Sequence, residues 1–210
     1  MKHLSSPRRA LKAARQQGYT LIELSIALAI ISVIIVGSLV GVQRILANNR
    51  ANNLLAEIPR INAALVGAAV NSTSFAKITT TEAAALGAFS PSSVNYVNGA
   101  PEVSNAFGGR LFVQGNEASF DGVKRGYVVV ATGVPVDMCA TVVNGLAPLA
   151  QALWVDTATD AASFDTPLPT VPTPLIKGPE QTATIELTTL AKECRPTGSS
   201  TATVHAFVAI

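Results

Sequence analysis

From Leu24 to Gln43 the chain carries no charged residue, and this run of twenty limits what it can fold into more than any other feature. Twenty helical residues rise about 30 Å, roughly the hydrocarbon thickness of a bilayer. The segment is long enough to span a membrane. In front of it, residues 1–18 hold Lys2, Arg8, Arg9, Lys12 and Arg15 and no acid, so the positive-inside rule keeps that end in the cytoplasm. An ordinary secretory signal also starts basic, but its cleavage site follows its apolar segment. Here the small residue, Gly18, comes before the run. A plain signal anchor, with nothing cut at Gly18, is the alternative.

Glu23 does not suit a mere anchor. A carboxylate at the centre of a membrane helix costs on the order of 3 kcal/mol on insertion scales, and less near its end. One reading places it at the lipid headgroups, simply solvated. In the other, a cut after Gly18 gives Tyr19 a new ammonium group one helical turn from Glu23, which supplies the acid with an opposite charge.

Gly18-Tyr19-Thr20-Leu21-Ile22-Glu23 resembles the start of the type IV pilin superfamily. Its members carry a basic leader ending in Gly, an aromatic or apolar residue, Thr-Leu-Ile-Glu and a long apolar helix. The resemblance implies that a prepilin peptidase cuts between Gly18 and Tyr19 on the cytoplasmic side and methylates the new amine of Tyr19. It also implies that Glu23 pairs with the amine of a neighbouring subunit during assembly. In a core of low dielectric an unpaired carboxylate is penalised and a paired one is compensated, so Glu23 can fix subunit register.

Removing the leader reverses the chain's charge. The whole sequence has a net charge of +2, whereas residues 19–210 hold ten basic and thirteen acidic residues, a net of −3. The mature chain has no clustered Lys and Arg of the kind that nucleic-acid binding requires. About 165 residues lie beyond the apolar run, enough for one domain with its own core. The two cysteines, Cys139 and Cys194, fall on the side that the charge rule sends out of the cytoplasm. There a disulfide is the natural reading, with two free thiols as the alternative.

Beyond Gln43 the helical pattern continues. Leu54, Ile58, Ile61, Leu65 and Ala68 recur at steps of four and three, which predicts one long helix from about Thr20 to Val70 with an amphipathic second half. Gly37 and Gly41 are either ordinary small residues of a membrane helix or, as the resemblance implies, the place where the helix unwinds in a filament. Pro59 removes one backbone hydrogen bond and predicts a kink.

Residues 72–102 read as a surface connection with a short helix near Thr81–Leu86. Strands are predicted at Leu111–Val113, Tyr127–Ala131 and Leu153–Val155, and a helix at Val134–Leu146 with Pro135 in its first turn. Asp165–Pro179, with prolines at 167, 169, 172, 174 and 179, predicts an extended surface loop. The last ten residues alternate, which predicts a strand with one apolar face. The fold class is therefore α+β: a long N-terminal helical spine packed on an antiparallel sheet, the architecture that the resemblance also implies. Three segments follow: leader 1–18, membrane or filament-core helix half 19–43, and globular domain 44–210.

Within the superfamily, the leader length, Tyr19 and the Cys-bounded C-terminal region are most like the type IVb branch of toxin-coregulated and conjugative thin pilins. Asn105-Ala106-Phe107-Gly108-Gly109 resembles a segment there. The type IVa branch usually has Phe at the position of Tyr19 and a proline earlier than Pro59.

Chemistry is not advertised. There is no G-x-x-x-x-G-K-S/T loop and no G-x-S-x-G elbow. His205, the one histidine outside the leader, reads as a polar-face strand residue. Asp156, Asp160 and Asp165 lack EF-hand spacing and read as solvated loop acids, and Asn71-Ser72-Thr73 matches a glycosylation sequon. The expectation is a structural protein with no catalytic, metal or cofactor residues: a precursor in the inner membrane, then an extracellular pilus. Its partners would be other copies of the chain, the prepilin peptidase and the assembly platform, in adhesion, aggregation or conjugative contact. A minor pilin or secretion-system pseudopilin is the nearest alternative, and a membrane-anchored periplasmic enzyme or receptor a more distant one.

Overall fold

A computed structural model describes residues 18–70, 77–120, 122, 125–159, 161–178 and 184–210. Residues 1–17, the sequon at 71–73, Asp160 and Pro179 lie outside the described residues. The chain forms two compact units, residues 1–44 and 45–210. Helix α1, Leu21–Ala69, begins in the first and ends in the second.

The part of α1 in the second unit is a core helix. Ala51, Leu54, Ile58, Ile61, Leu65 and Ala69 are buried along one stripe. Ala69 takes the place expected for Ala68, which is only partly buried. The helix runs on through Pro59. It ends where the Arg125 guanidinium donates to the Ala69 carbonyl at 3.0 Å, satisfying one of the last four acceptors.

A four-stranded antiparallel sheet, in the order β3-β4-β6-β5, makes the other layer. Its strands are β3 Leu111–Gly115, β4 Gly126–Pro135, β5 Ala152–Asp156 and β6 Thr201–Ala209. Helix α3, Val136–Leu146, follows β4 directly. It starts two residues later than predicted, because Val134 and Pro135 extend β4 and pair with Ala202 and Thr201. One sheet face, including Tyr127, Val129, Val204 and Ala206, shares a core with α1 and α3. Gly145 of α3 lies so close to α1 that a Cβ there would be 2.3 Å from Leu55 Cδ1.

The second face departs from the prediction for the last strand, because it is buried as well. Phe112, Val128, Val130, Trp154 and Phe207 form a separate core with Ala118, Phe120 and Phe164. These last three come from the loop after β3 and from the four-residue helix α4, Ala161–Phe164. A strand covered on both faces need not alternate in polarity.

The proline-rich segment does more than cross the surface. The Leu168 amide donates to the Gly115 carbonyl at 2.8 Å, and the Leu153 amide donates to the Lys177 carbonyl at 3.0 Å. Ile176 is fully buried. The segment thus occupies backbone groups at both edge strands, the groups that otherwise template association. The Lys177 ammonium also donates to the carbonyls of Ala147 and Ala150, both at 2.7 Å, beyond the end of α3.

Residues 77–104 hold more structure than predicted. Helix α2, Thr80–Ala85, is capped by Thr79, whose hydroxyl hydrogen bond to Glu82 holds that carboxyl below the usual carboxylate range. A hairpin follows, β1 Val94–Val97 with β2 Ala100–Val103. Its turn is Asn98-Gly99, with φ of 51° and 84°, the conformation of a type I′ turn.

The Asn105–Gly109 turn plugs a bulge in β4. The Asn105 carboxamide accepts from the amides of Phe107 and Gly109 and donates to the carbonyls of Arg110 and Thr132. Opposite, the register slips between Ala131 and Val134, with Gly133 at φ 70°. A Cβ on Gly109 would be 1.9 Å from the Thr132 carbonyl oxygen, a backbone atom that cannot swing away. Gly109→Ala should destabilise the domain by about 3 kcal/mol, as for forced overpacking. Chemical denaturation of the full chain in detergent would measure it.

Tyr127 is fully buried, and its hydroxyl donates to Asn62 Oδ1 of α1 at 3.1 Å. Burial disfavours the phenolate and pushes its pKa well above the ordinary value. The neutral phenol is therefore the form that the fold binds. Its stabilisation is complete below the unfolded tyrosine value, about 10, and is lost as pH rises from there toward the folded value. Tyr127→Phe should flatten the stability profile above about pH 10, measured as thermal midpoint against pH.

Candidate assembly site at the start of the long helix

Gly18, Tyr19 and Thr20 precede α1 in non-helical, exposed backbone, and Tyr19 is 84% exposed. Thr20 then starts the helix. Its carbonyl accepts from the Leu24 amide at 3.1 Å, and its hydroxyl accepts from the Glu23 amide at 3.3 Å. This is an N-cap, with Glu23 at the third helical position, where the helix dipole favours a negative charge. The cap was not anticipated, although Thr-x-x-Glu ahead of an apolar run is its sequence sign. Among the described residues Glu23 has no ion-pair partner.

The helix beyond Glu23 suits an apolar surrounding. Its most apolar window of eighteen residues has a mean hydropathy of 2.6, and none of that window is buried within the chain. The polar atoms within it are satisfied internally. Ser25, Ser32 and Ser38 each donate a hydroxyl hydrogen bond at 2.8 Å to a carbonyl of the preceding turn, those of Ile22, Ala29 and Ile34. Such back-bonding is what hydrocarbon demands of a hydroxyl. Gly37 and Gly41 are helical, and a Cβ at either would meet nothing within 4 Å. Their outer surface is free for the backbone of another helix to approach.

The cysteines are joined. Cys139 in α3 is bonded to Cys194, which follows helix α5, Leu187–Glu193, and their Cα atoms are 5.6 Å apart. Free thiols are thereby set aside. The bond closes a loop with a sequence separation of 55 that contains β5, α4 and the proline-rich segment.

His205 and Asp156 differ from their sequence readings. His205 lies in β6 on the face away from α1, but that face is covered, and the residue is 3% exposed. Its Nε2 is 2.9 Å from Asp156 Oδ2, so Asp156 is a strand-end residue with an imidazole in reach and not a free loop acid. Alternation alone could not reveal this, because the cover comes from residues 116–120 and 161–175. Asp165 is exposed, as expected. No group of three metal-ligating side chains occurs among the described residues.

Residues 13–39 match the prokaryotic N-terminal methylation motif. The chain carries this motif ahead of an antiparallel α+β domain. Two similar solved structures are pilins. The type IVb pilin from Salmonella typhi is 16% identical, with a TM-score of 0.49 over 75% of this chain and 98% of that one. TcpA, a type IV pilin from the Vibrio cholerae El Tor biotype, is 13% identical, with a TM-score of 0.48 over 76% and 98%. No curated protein sequence matches the chain significantly.

Reducing the disulfide should cost roughly 4 kcal/mol by loop-closure entropy. The thermal midpoint of the full chain should fall on treatment with a reductant, and Cys139→Ser with Cys194→Ser should reproduce the fall without it.

Proposed function

We propose that this chain is the precursor of a structural subunit of a type IV pilus, most like the type IVb branch. The observation that carries the reading is the methylation motif at 13–39 running directly into a helix that is apolar and exposed on all sides. Residues 1–18 form the leader. The prepilin peptidase cuts between Gly18 and Tyr19 and methylates the Tyr19 amine. Residues 19–43 hold the subunit in the inner membrane until the assembly platform transfers it to the filament. There Glu23 faces the amine of a neighbouring copy, and residues 44–210 form the outer domain.

Each element supports a step. The exposed backbone at Gly18-Tyr19 is open to a peptidase, and Thr20 keeps the first turn intact once the leader is gone. Glu23 is left as the one charge in an apolar helix half, which costs most in a low-dielectric core unless an opposite charge meets it. The disulfide and the covered sheet edges suit a domain that works outside the cell. The subunit is structural and not catalytic, and its filament serves adhesion, aggregation or conjugative contact between cells.

Mass spectrometry of sheared surface filaments should recover a chain that starts at N-methylated Tyr19. A chain starting at Met1 and confined to membranes would overturn the reading. Glu23→Ala should leave membrane insertion unchanged and reduce filament yield by at least about tenfold, the effect of losing one well-compensated charge pair. Equal yields would remove Glu23 from assembly. Scarcity of the chain in sheared filaments would mark it as a minor pilin or pseudopilin.

A further inference from the structure

The sequence holds two Asn-Gly dipeptides, Asn98-Gly99 and Asn144-Gly145, and the fold sets them in opposite circumstances. An asparagine followed by glycine carries an electrophile and a nucleophile side by side. The carboxamide carbon and the next backbone nitrogen can close a five-membered ring, and glycine puts no side chain in the way. Closure needs that nitrogen to swing round beside Cβ, which for an L-residue means a ψ of about −120°, the value at the first central position of a type II′ turn.

Asn98 and Gly99 are the central residues of the β1-β2 turn, which the Val97–Ala100 pair closes, and both are exposed. Their φ values of 51° and 84° are those of type I′. A type II′ turn keeps the sign of the first φ and reverses the second. Rotating the one peptide unit between Asn98 and Gly99 therefore converts I′ into II′ while Val97 and Ala100 stay paired, and both turns match the twist of the strands. Type II′ favours glycine at its first central position, so with Asn98 there it is a minor state. It is nevertheless the state that brings the Gly99 nitrogen beside the Asn98 carboxamide carbon. Among the described residues neither the Asn98 carboxamide nor the Gly99 amide makes a hydrogen bond that the rotation would break. Asn144-Gly145 is held in the other way. Both residues belong to α3, where ψ is about −40° and each amide points along the axis at the preceding turn. Reaching the ring geometry would break the last turn of that helix, in which Val143 and Leu146 are buried and Gly145 packs against Leu55.

We propose that Asn98 is a site of spontaneous deamidation and that Asn144 is protected from it. The Gly99 nitrogen gives its proton to water or hydroxide and attacks Asn98 Cγ. The new C–N bond forms, the Cγ–Nδ2 bond breaks, and ammonia leaves with the proton returned to it. Water then opens the succinimide at either carbonyl. Opening at Cγ leaves an aspartate in an unaltered main chain. Opening at the α-carbonyl leaves isoaspartate, whose main chain runs through Cβ and Cγ and is one atom longer. Either product adds a negative charge to the hairpin tip, and the longer one no longer fits a two-residue turn, so it loosens the pairing of Val97 with Ala100.

The second dipeptide is an internal control for the first. The full chain in detergent micelles is held at mildly alkaline pH for days, sampled, and digested in acid so that digestion adds no deamidation. Mass spectrometry then follows the peptides that carry each dipeptide. The Asn98 peptide should exchange NH for O and resolve into aspartyl and isoaspartyl forms. Its rate should exceed that of the Asn144 peptide by at least about tenfold, because α3 must first open locally. In the same chain unfolded by guanidinium the two rates should become alike, since the reacting dipeptides are identical. An Asn98 that stays intact, or equal rates in the folded chain, would overturn the proposal. So would an Asn144 that remains slow when unfolded, because its protection would then not come from the helix.

Discussion

A helix that is apolar on every side is content only in lipid or among other helices, and α1 meets that condition from Leu24 to Gln43. From Ala51 onward the same helix has a single buried stripe and belongs to a globular core. Both demands fall on one helix, Leu21–Ala69. The first half must therefore leave one apolar environment only for another. The filament proposed for this chain would meet that demand with copies of the same helix. Polymerisation is the arrangement in which lipid is replaced by like helices at little cost in exposed apolar surface.

The domain depends on the stripe for its own order. Leu54, Ile58, Ile61 and Leu65 complete a core with strands β4 and β6, and Tyr127 ties the sheet to Asn62 by one half-buried hydrogen bond. On the opposite face the sheet has no long helix to cover it. Short pieces do so instead: the loop after β3, the single turn of α4 and the proline-rich segment. The disulfide encloses the latter two within one covalent loop, which restricts the unfolded chain most where regular structure is least. Helix packing makes one face of the sheet, and tethered irregular chain makes the other.

Periodic features were legible in the sequence, and features that depend on distant chain were not. The helix predicted over Thr20–Val70 is observed over Leu21–Ala69, because steps of three and four persist across both halves. Two strands fall where short β-rich runs lie between glycines, and the last falls where apolar and polar residues alternate. The hairpin at Val94–Val103 was missed, although Asn98-Gly99 is the strongest short signal for one. The surrounding Ser, Thr and Asn suggested a loop more loudly than two residues suggested a turn. His205 was placed on a polar face because its neighbours alternate, and no local pattern shows that residues from 116 to 175 return to bury it. Asn105–Gly109 was noticed only as a likeness. Of the four hydrogen bonds of the Asn105 carboxamide, one reaches Thr132, far along the chain, and so was invisible beforehand.

The N-terminal site shows how two requirements share one turn. Thr20 and Glu23 have capping-box spacing, in which a glutamate side chain commonly returns to the cap's own amide. Here the threonine half of that exchange is formed: Thr20 Oγ1 takes the Glu23 amide. The first turn is therefore held by a neutral hydroxyl, and the carboxylate is not needed to keep the backbone helical. A cut after Gly18, as proposed, would convert the Tyr19 amide into a charged amine. It becomes a cation in search of an anion. A glutamate released from structural duty at the head of an apolar helix is the matching group. In a filament each subunit can offer its carboxylate to one neighbour and its amine to another, so the pairing proposed for Glu23 propagates head to tail without closing on itself.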